Sequence, residues 1–148
     1  MPAPADIALV DTNVLVYALF PTAPQHAASR ALIDAAQDAE AGLCVSPNVL
    51  TEFFSVVTDA RRVSPARTPE DALRAIDDLL ALPGLSLIPV PVDVISRIAD
   101  LVRAHPVTDG AIFDLQIAAT MLGNGVRRVY TFNRSDFEKV QGLDVLTP

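Results

Sequence analysis

Cysteine is nearly absent. The 148 residues hold a single one, Cys44, so no intrachain disulfide can form. Cys44 lies in the short apolar run GLCVSP and reads as a small buried hydrophobe. Histidine is equally sparse: His26 and His105 lie far apart in the chain beside proline-containing segments. With one thiol, they leave too few nitrogen and sulfur donors for zinc, and each reads as structural or plainly exposed. Lysine is reduced to Lys139, the other ten basic residues being arginine. Arginine is the better fork for phosphate or carboxylate, although a codon bias produces the same skew. Acids outnumber bases 18 to 11, giving a formal net charge of −7. That argues against a general, charge-driven grip on nucleic acid and leaves room only for a local basic surface. No Lys or Arg precedes Arg30, unlike the charged start of a secretory signal. No apolar run reaches the roughly 20 residues of a membrane span. The expectation is a soluble, cytoplasmic protein. Internal repeats, low-complexity segments and linkers are also missing, so residues 1–148 are expected to form one domain.

What is present is a large apolar fraction, 51%, arranged in alternating segments. Ile7–Val10 reads as a buried strand. Thr12-Asn13 offers a cap to a helix over Val14–Phe20, which PTAP breaks. Gln25–Ala39 is helical in pattern. AGLCVSP reads as a second strand closed by Pro47, and NVLTEFFSVVTDARR as a helix with Asn48 as cap. Thr68-Pro69-Glu70-Asp71 is a helix start, running to about Leu82. LSLIPV is a third strand, Asp93–Ala104 a helix, and GAIFDLQIAATML a helix ended by Gly123 and Gly125. RRVYTF is a fourth strand and LDVLTP a fifth at the edge. Strands alternating with helices predict an α/β fold of three layers, with a mainly parallel central sheet of four or five strands.

Asp11 interrupts the apolar run IALVDTNVLVYALF. It ends the first strand, where open α/β sheets place ligands. Asp114 falls on a helix that is apolar in nearly every direction. It points away from Gln116 and Thr120, among Ile117, Ala118 and Met121, and a charge there needs a cation, a hydrogen-bond network or a raised pKa. Glu52 borders the apolar arc of Val49, Phe53, Val56 and Val57, where it can equally be plainly solvated. Thr131 closes the fourth strand, with Asn133 and Asp136 in the loop after it, either as site residues or as ordinary turn formers. Several carboxylates gathered from separate elements repel one another, and a divalent cation removes the difficulty. All-oxygen ligation suits Mg²⁺, with Mn²⁺ able to substitute.

VDTNVLVYA, TEFF, FDLQIAA and TFNRSDF, taken in order and in structural context, resemble the PIN-domain ribonucleases, and among them the VapC toxins of prokaryotic toxin–antitoxin systems. The resemblance implies that Asp11, Glu52, Asp114 and Asp136 are the catalytic acids, with Asp11, Asp114 and Asp136 binding metal. It makes Asn13 the residue that orients Asp11, and Thr131 the polar residue closing the fourth strand. Many family members carry Asp at the position of Asn133. Here Asn133 stands as a neutral ligand or water holder beside Asp136.

The resemblance further implies Mg²⁺-dependent cleavage of single-stranded or loop RNA, a homodimer, and a VapB-type antitoxin that inserts a segment into the groove. The apolar faces of Val14–Phe20 and of Phe53 and Phe54 are available either to such contacts or to the core. Arg134 leads the candidates for RNA phosphate contact, with Arg61 and Arg62, and then Arg67, Arg127 and Arg128. Three other readings stand beside this one. A haloacid dehalogenase-like phosphatase would need a second Asp two residues after Asp11, where Asn13 stands. A receiver-like domain would need a lysine placed better than Lys139. A degenerate PIN domain that binds RNA without cutting is the third alternative.

Overall fold

The structure is a computed structural model that describes residues 6–148. Its centre is one sheet of five parallel strands, β1 (Ala8–Val10), β2 (Leu43–Val45), β3 (Leu85–Leu87), β4 (Arg128–Tyr130) and β5 (Asp144–Leu146), in the order β3-β2-β1-β4-β5. β1 pairs with β2 through Ala8↔Leu43 and with β4 through Ala8↔Arg128. Every residue of β1 and β2 is buried, as expected of central strands covered on both faces.

Among the described residues seven α-helices flank the sheet: α1 (Thr12–Leu19), α2 (His26–Ala35), α3 (Pro47–Val57), α4 (Pro69–Leu80), α5 (Val94–Ala104), α6 (Ile112–Gly123) and α7 (Arg134–Glu138). α1 packs on α2 and α3, and α3 on α4; α6 packs on α5 and α7. The chain moves outward from β1 to β3, then returns to the other flank of β1 for β4. The strand order therefore reverses between β1 and β4, and a crevice opens beyond their carboxyl ends.

The expected three-layer α/β fold is present, with changes at element ends. Asp11 itself caps α1, its side chain accepting from the Thr12 amide, so the helix starts earlier than Val14. Ser46, not Asn48, caps α3, and Pro47 opens that helix rather than ending β2. α3 stops at Val57, five residues short of Arg62. α2 ends at Ala35 because its last amides tighten to carbonyls three residues back, as in Ala36 to Ile33. The segment holding Asp136 is the short helix α7 rather than a loop. The apolar faces of α1 and α3 are core: Val14, Leu15, Phe20, Val49 and Phe53 are buried. Thr120, expected on the polar side of α6, is fully buried as well. Cys44 is buried in β2, and desolvation pushes its thiol up to about 12. No helix among the described residues is long and apolar enough to cross a membrane.

Gly84 shows how closely the helices are laid on the sheet. Its amide donates to the Ala36 carbonyl at the end of α2, 2.7 Å away. A Cβ there would strike the carbonyl oxygens of Asp38 and Ala36, which backbone cannot yield cheaply. Gly110 is open, the nearest atom to a Cβ being Phe113 Cδ2 at 4.0 Å. Gly84→Ala is expected to lower stability by about 1–3 kcal/mol, and Gly110→Ala to leave it near wild type. Urea unfolding midpoints of the two variants check both.

Candidate active site

Asp11 follows β1 directly and is only 4% exposed. Its amide donates to the Tyr130 carbonyl at 3.0 Å, so the backbone is satisfied across the β1–β4 seam. Its carboxylate is held from three sides. Oδ1 accepts from the Thr12 amide at 2.8 Å, and Oδ2 from the Thr131 hydroxyl at 2.8 Å and the Asn13 side-chain amide at 3.2 Å. Asn13 Oδ1 in turn accepts from the Phe132 amide at 3.1 Å, and Thr131 Oγ1 from the Asn133 amide at 2.9 Å. Asn13 and Thr131 thus tie the segments after β1 and β4 together through the carboxylate between them.

Burial pushes Asp11 up to about 6. The hydrogen bonds from Thr131 and Thr12 work against that, while the charges of Glu52 and Asp136 add to it. Glu52 is exposed on α3, and its Oε2 accepts from the Thr12 hydroxyl at 2.8 Å. Thr12 therefore links α1 to the second acid. Asp114, in the first turn of α6, is pushed up to about 7 by burial, then by Asp136, Asp11 and Glu52, with Lys139 opposing. Four carboxylates thus lie within electrostatic reach of one another.

Asp11, Glu52, Asp114 and Asn133 line one open cavity of about 360 Å³. Asp136 is half-buried in the first turn of α7 and is not part of its wall. Asn133 occupies the cap position of α7 without capping it through its side chain, so that group is available to the cavity. Among the described residues, no three His, Cys, Asp or Glu side chains come together as a group that could hold a metal ion by themselves. An open set of hard oxygen donors fits Mg²⁺ or Mn²⁺, which keep several waters and need only one or two carboxylates.

The arginines divide. Arg62 lines the cavity. Arg61 pairs with Asp59 at 3.0 Å on the surface. Arg134 turns to Glu138 at 2.9 Å and to Thr147 at 3.1 Å, away from the cavity wall. Arg67 lies 4.9 Å over the Phe20 ring. Arg127 and Arg128 stand at the amino end of β4, the wrong edge of the sheet, because parallel strands put all their carboxyl ends on the other. Thr12, Tyr17 and Lys139 join the site without having been expected there. Thr12 sits in the DTN triplet next to Asp11 and could have been suspected; nothing in the pattern marks the other two.

The PIN domain family model matches residues 8–143. A VapC ribonuclease of Mycobacterium bovis and ribonuclease VapC43 of Mycobacterium tuberculosis are each 39% identical over 75 residues, 51% of this chain and 51% of theirs. The match to these curated relatives thus spans about half their length. Among solved structures, Mycobacterium tuberculosis VapC20, described as a Sarcin-Ricin loop cleaving toxin, superposes with a TM-score of 0.70 at 18% identity, over 95% of this chain and 99% of that one. VapBC2 from Rickettsia felis, bound to a promoter DNA fragment, gives 0.65 at 20% identity, over 95% and 98%. At these identities the structures speak for the fold, and the fold is theirs. With its sequence matched by the family model almost from end to end, the chain belongs to the PIN domain family.

Proposed function

We propose that this protein is a metal-dependent endoribonuclease and the toxin of a VapBC-type pair. The observation that carries the reading is the group of three acids lining one open cavity, Asp11, Glu52 and Asp114, with Asp136 within electrostatic reach; Asp11 and Asp114 are held well above the ordinary carboxylate range by burial and by the neighbouring acids. Relatives named VapC ribonuclease support it.

Asp11 and Asp114 would hold a divalent cation, with Asp136 as a further ligand and Asn133 as a neutral ligand or water holder. Bound there, Mg²⁺ would neutralise the acids and the substrate phosphate and lower the pKa of an attacking water. Asn13 and Thr131 fix the Asp11 carboxylate, so its orientation is set before any ligand arrives. Glu52, exposed and anchored by Thr12, orients the attacking water and takes its proton. Water attacks phosphorus, the bond to the 3′-oxygen breaks, and the products carry a 5′-phosphate and a 3′-hydroxyl. Arg62 is the local cation for an RNA phosphate that the net charge otherwise repels. Arg134 can join it, since its exposed pair with Glu138 holds it by no more than about 1 kcal/mol. The acidic cavity is also a natural acceptor for an arginine of a VapB-type antitoxin, and the active form is a homodimer.

Asp11→Asn and Asp114→Asn should each lower kcat/KM on single-stranded RNA at least about a hundredfold, or roughly 2.7 kcal/mol of transition-state stabilisation. Mass analysis of wild-type products should show 5′-phosphate ends, and 2′,3′-cyclic phosphates would overturn the mechanism. The metal-free protein should also lose stability as pH rises. Asp11 and Asp114 hold protons up to about 6 and about 7 when folded, against 3.8 ordinarily. The folded state therefore binds more protons than the unfolded state between those values, and stability falls from about pH 4 to about pH 7. Melting curves should show that decline, reversal by millimolar Mg²⁺ at pH 8, and a higher metal-free Tm for Asp114→Asn at pH 8 but not at pH 4.

A further inference from the structure

The acids use only part of the cavity. α1 and α3 both start at the carboxyl edge of the sheet; α1 carries Asn13 near its start, and α3 carries Glu52 at its middle, to the cavity wall. One helical turn further along each, about 5.4 Å, the wall becomes Tyr17 and Val56. The loop after α3 adds Arg62 and Val63 to the same wall. Tyr17 is the half-exposed aromatic here. Its ring is braced edge-on by Phe132, with centroids 5.4 Å apart at 76°. Its hydroxyl meets no hydrogen-bond partner among the described residues. Phe20, the other aromatic of the wall, is buried beneath Arg67.

We propose that this half of the cavity is a nucleobase subsite, in which Tyr17 stacks on the base of a nucleotide next to the scissile phosphate while Arg62 holds an adjoining phosphate. The inference rests on the nuclease reading above. Asn13 and Tyr17 stand one helical turn apart on the same wall as the acids, so a nucleotide whose phosphate sits among the acids can present its base to Tyr17. Unstacked RNA bases are taken up on aromatic and guanidinium faces, and stacking tolerates any base because each presents a π-face. A ring fixed by Phe132 offers such a face without the entropy of ordering a mobile side chain. A braced aromatic beside an arginine suits a base and its phosphate better than an aliphatic segment of a protein partner.

The test uses a short single-stranded RNA that the wild-type protein cuts, with one abasic site moved along it. One position within two nucleotides of the cut is expected to raise KM at least about tenfold. Tyr17→Leu should raise KM on the intact RNA by a similar factor and add nothing on that abasic RNA. Tyr17→Phe, which keeps the ring, should lose less than Tyr17→Leu. Binding is read separately with 2-aminopurine at the sensitive position and the Asp114→Asn protein. Its fluorescence should be quenched on binding, and the quenching lost when Tyr17→Leu is added. Cleavage with a flat abasic scan, or penalties for Tyr17→Leu and the abasic site that simply multiply, overturns the subsite while leaving the nuclease reading intact. No cleavage of any RNA overturns the nuclease reading; 2-aminopurine moved along the same RNA then decides the subsite alone, by quenching at one position that Tyr17→Leu abolishes or by none. Unchanged RNA binding by Tyr17→Leu gives the wall to a protein partner instead. If Tyr17→Leu does not fold, the abasic scan and the quenching on Tyr17-containing protein decide.

Discussion

A carboxylate buried at the end of the central strand is the constraint around which this fold is arranged. Asp11 is almost fully removed from water, and an unpaired charge there would be expensive. The chain answers with donors from both sides of the strand-order reversal: Thr12 and Asn13 after β1, and Thr131 after β4. The same bonds that make the charge tolerable hold the two central strands' carboxyl ends in register. Removing the carboxylate would therefore disturb the seam of the sheet as well as the site, which is why charge-neutral, isosteric changes are the informative ones.

Those donors settle only part of the cost. Asp11 and Asp114 still hold their protons well above the ordinary carboxylate range, partly because each feels the other acids. Stability is thus given up at the place where chemistry would occur, a pattern common where function needs a strained local arrangement. Lys139 opposes this on Asp114 alone. Even with Lys139 and the Arg62 of the cavity wall, the four acids leave a deficit of positive charge that a hard divalent ion is suited to fill. The acidic balance of the whole chain then has a further consequence. On the proposed nuclease reading, an RNA substrate would not be drawn in by overall charge, and its binding would come from a few local contacts such as Arg62 and from surfaces that do not depend on charge.

Much of this was legible in the residues. The alternation of apolar strands with helices fixes the layers, and a lone Asp at the end of the first strand marks the ligand edge of such a sheet. The apolar helix around Asp114 identifies a charge in need of company. The element ends were less visible, because caps depend on which side chain wins. Asp11 displaces Thr12-Asn13 as the cap of α1, and Ser46 displaces Asn48 on α3. α7 is too short, at five residues, to show a helical period in the sequence. The arginines were the hardest to place: sequence proximity to a strand says nothing about which of its ends they occupy. Nothing in the sequence separates Tyr17 from the apolar residues around it; its neighbours in space, Phe132 and the loop after α3, do.

The central claim is that Asp11, directly after β1, and Asp114, on α6, share one cation. The most direct measurement is anomalous diffraction from crystals grown with Mn²⁺. The account predicts an anomalous peak with oxygens of Asp11 and Asp114 in its coordination shell and water completing it. An empty cavity at saturating Mn²⁺, or an ion bound elsewhere on the protein, would contradict it.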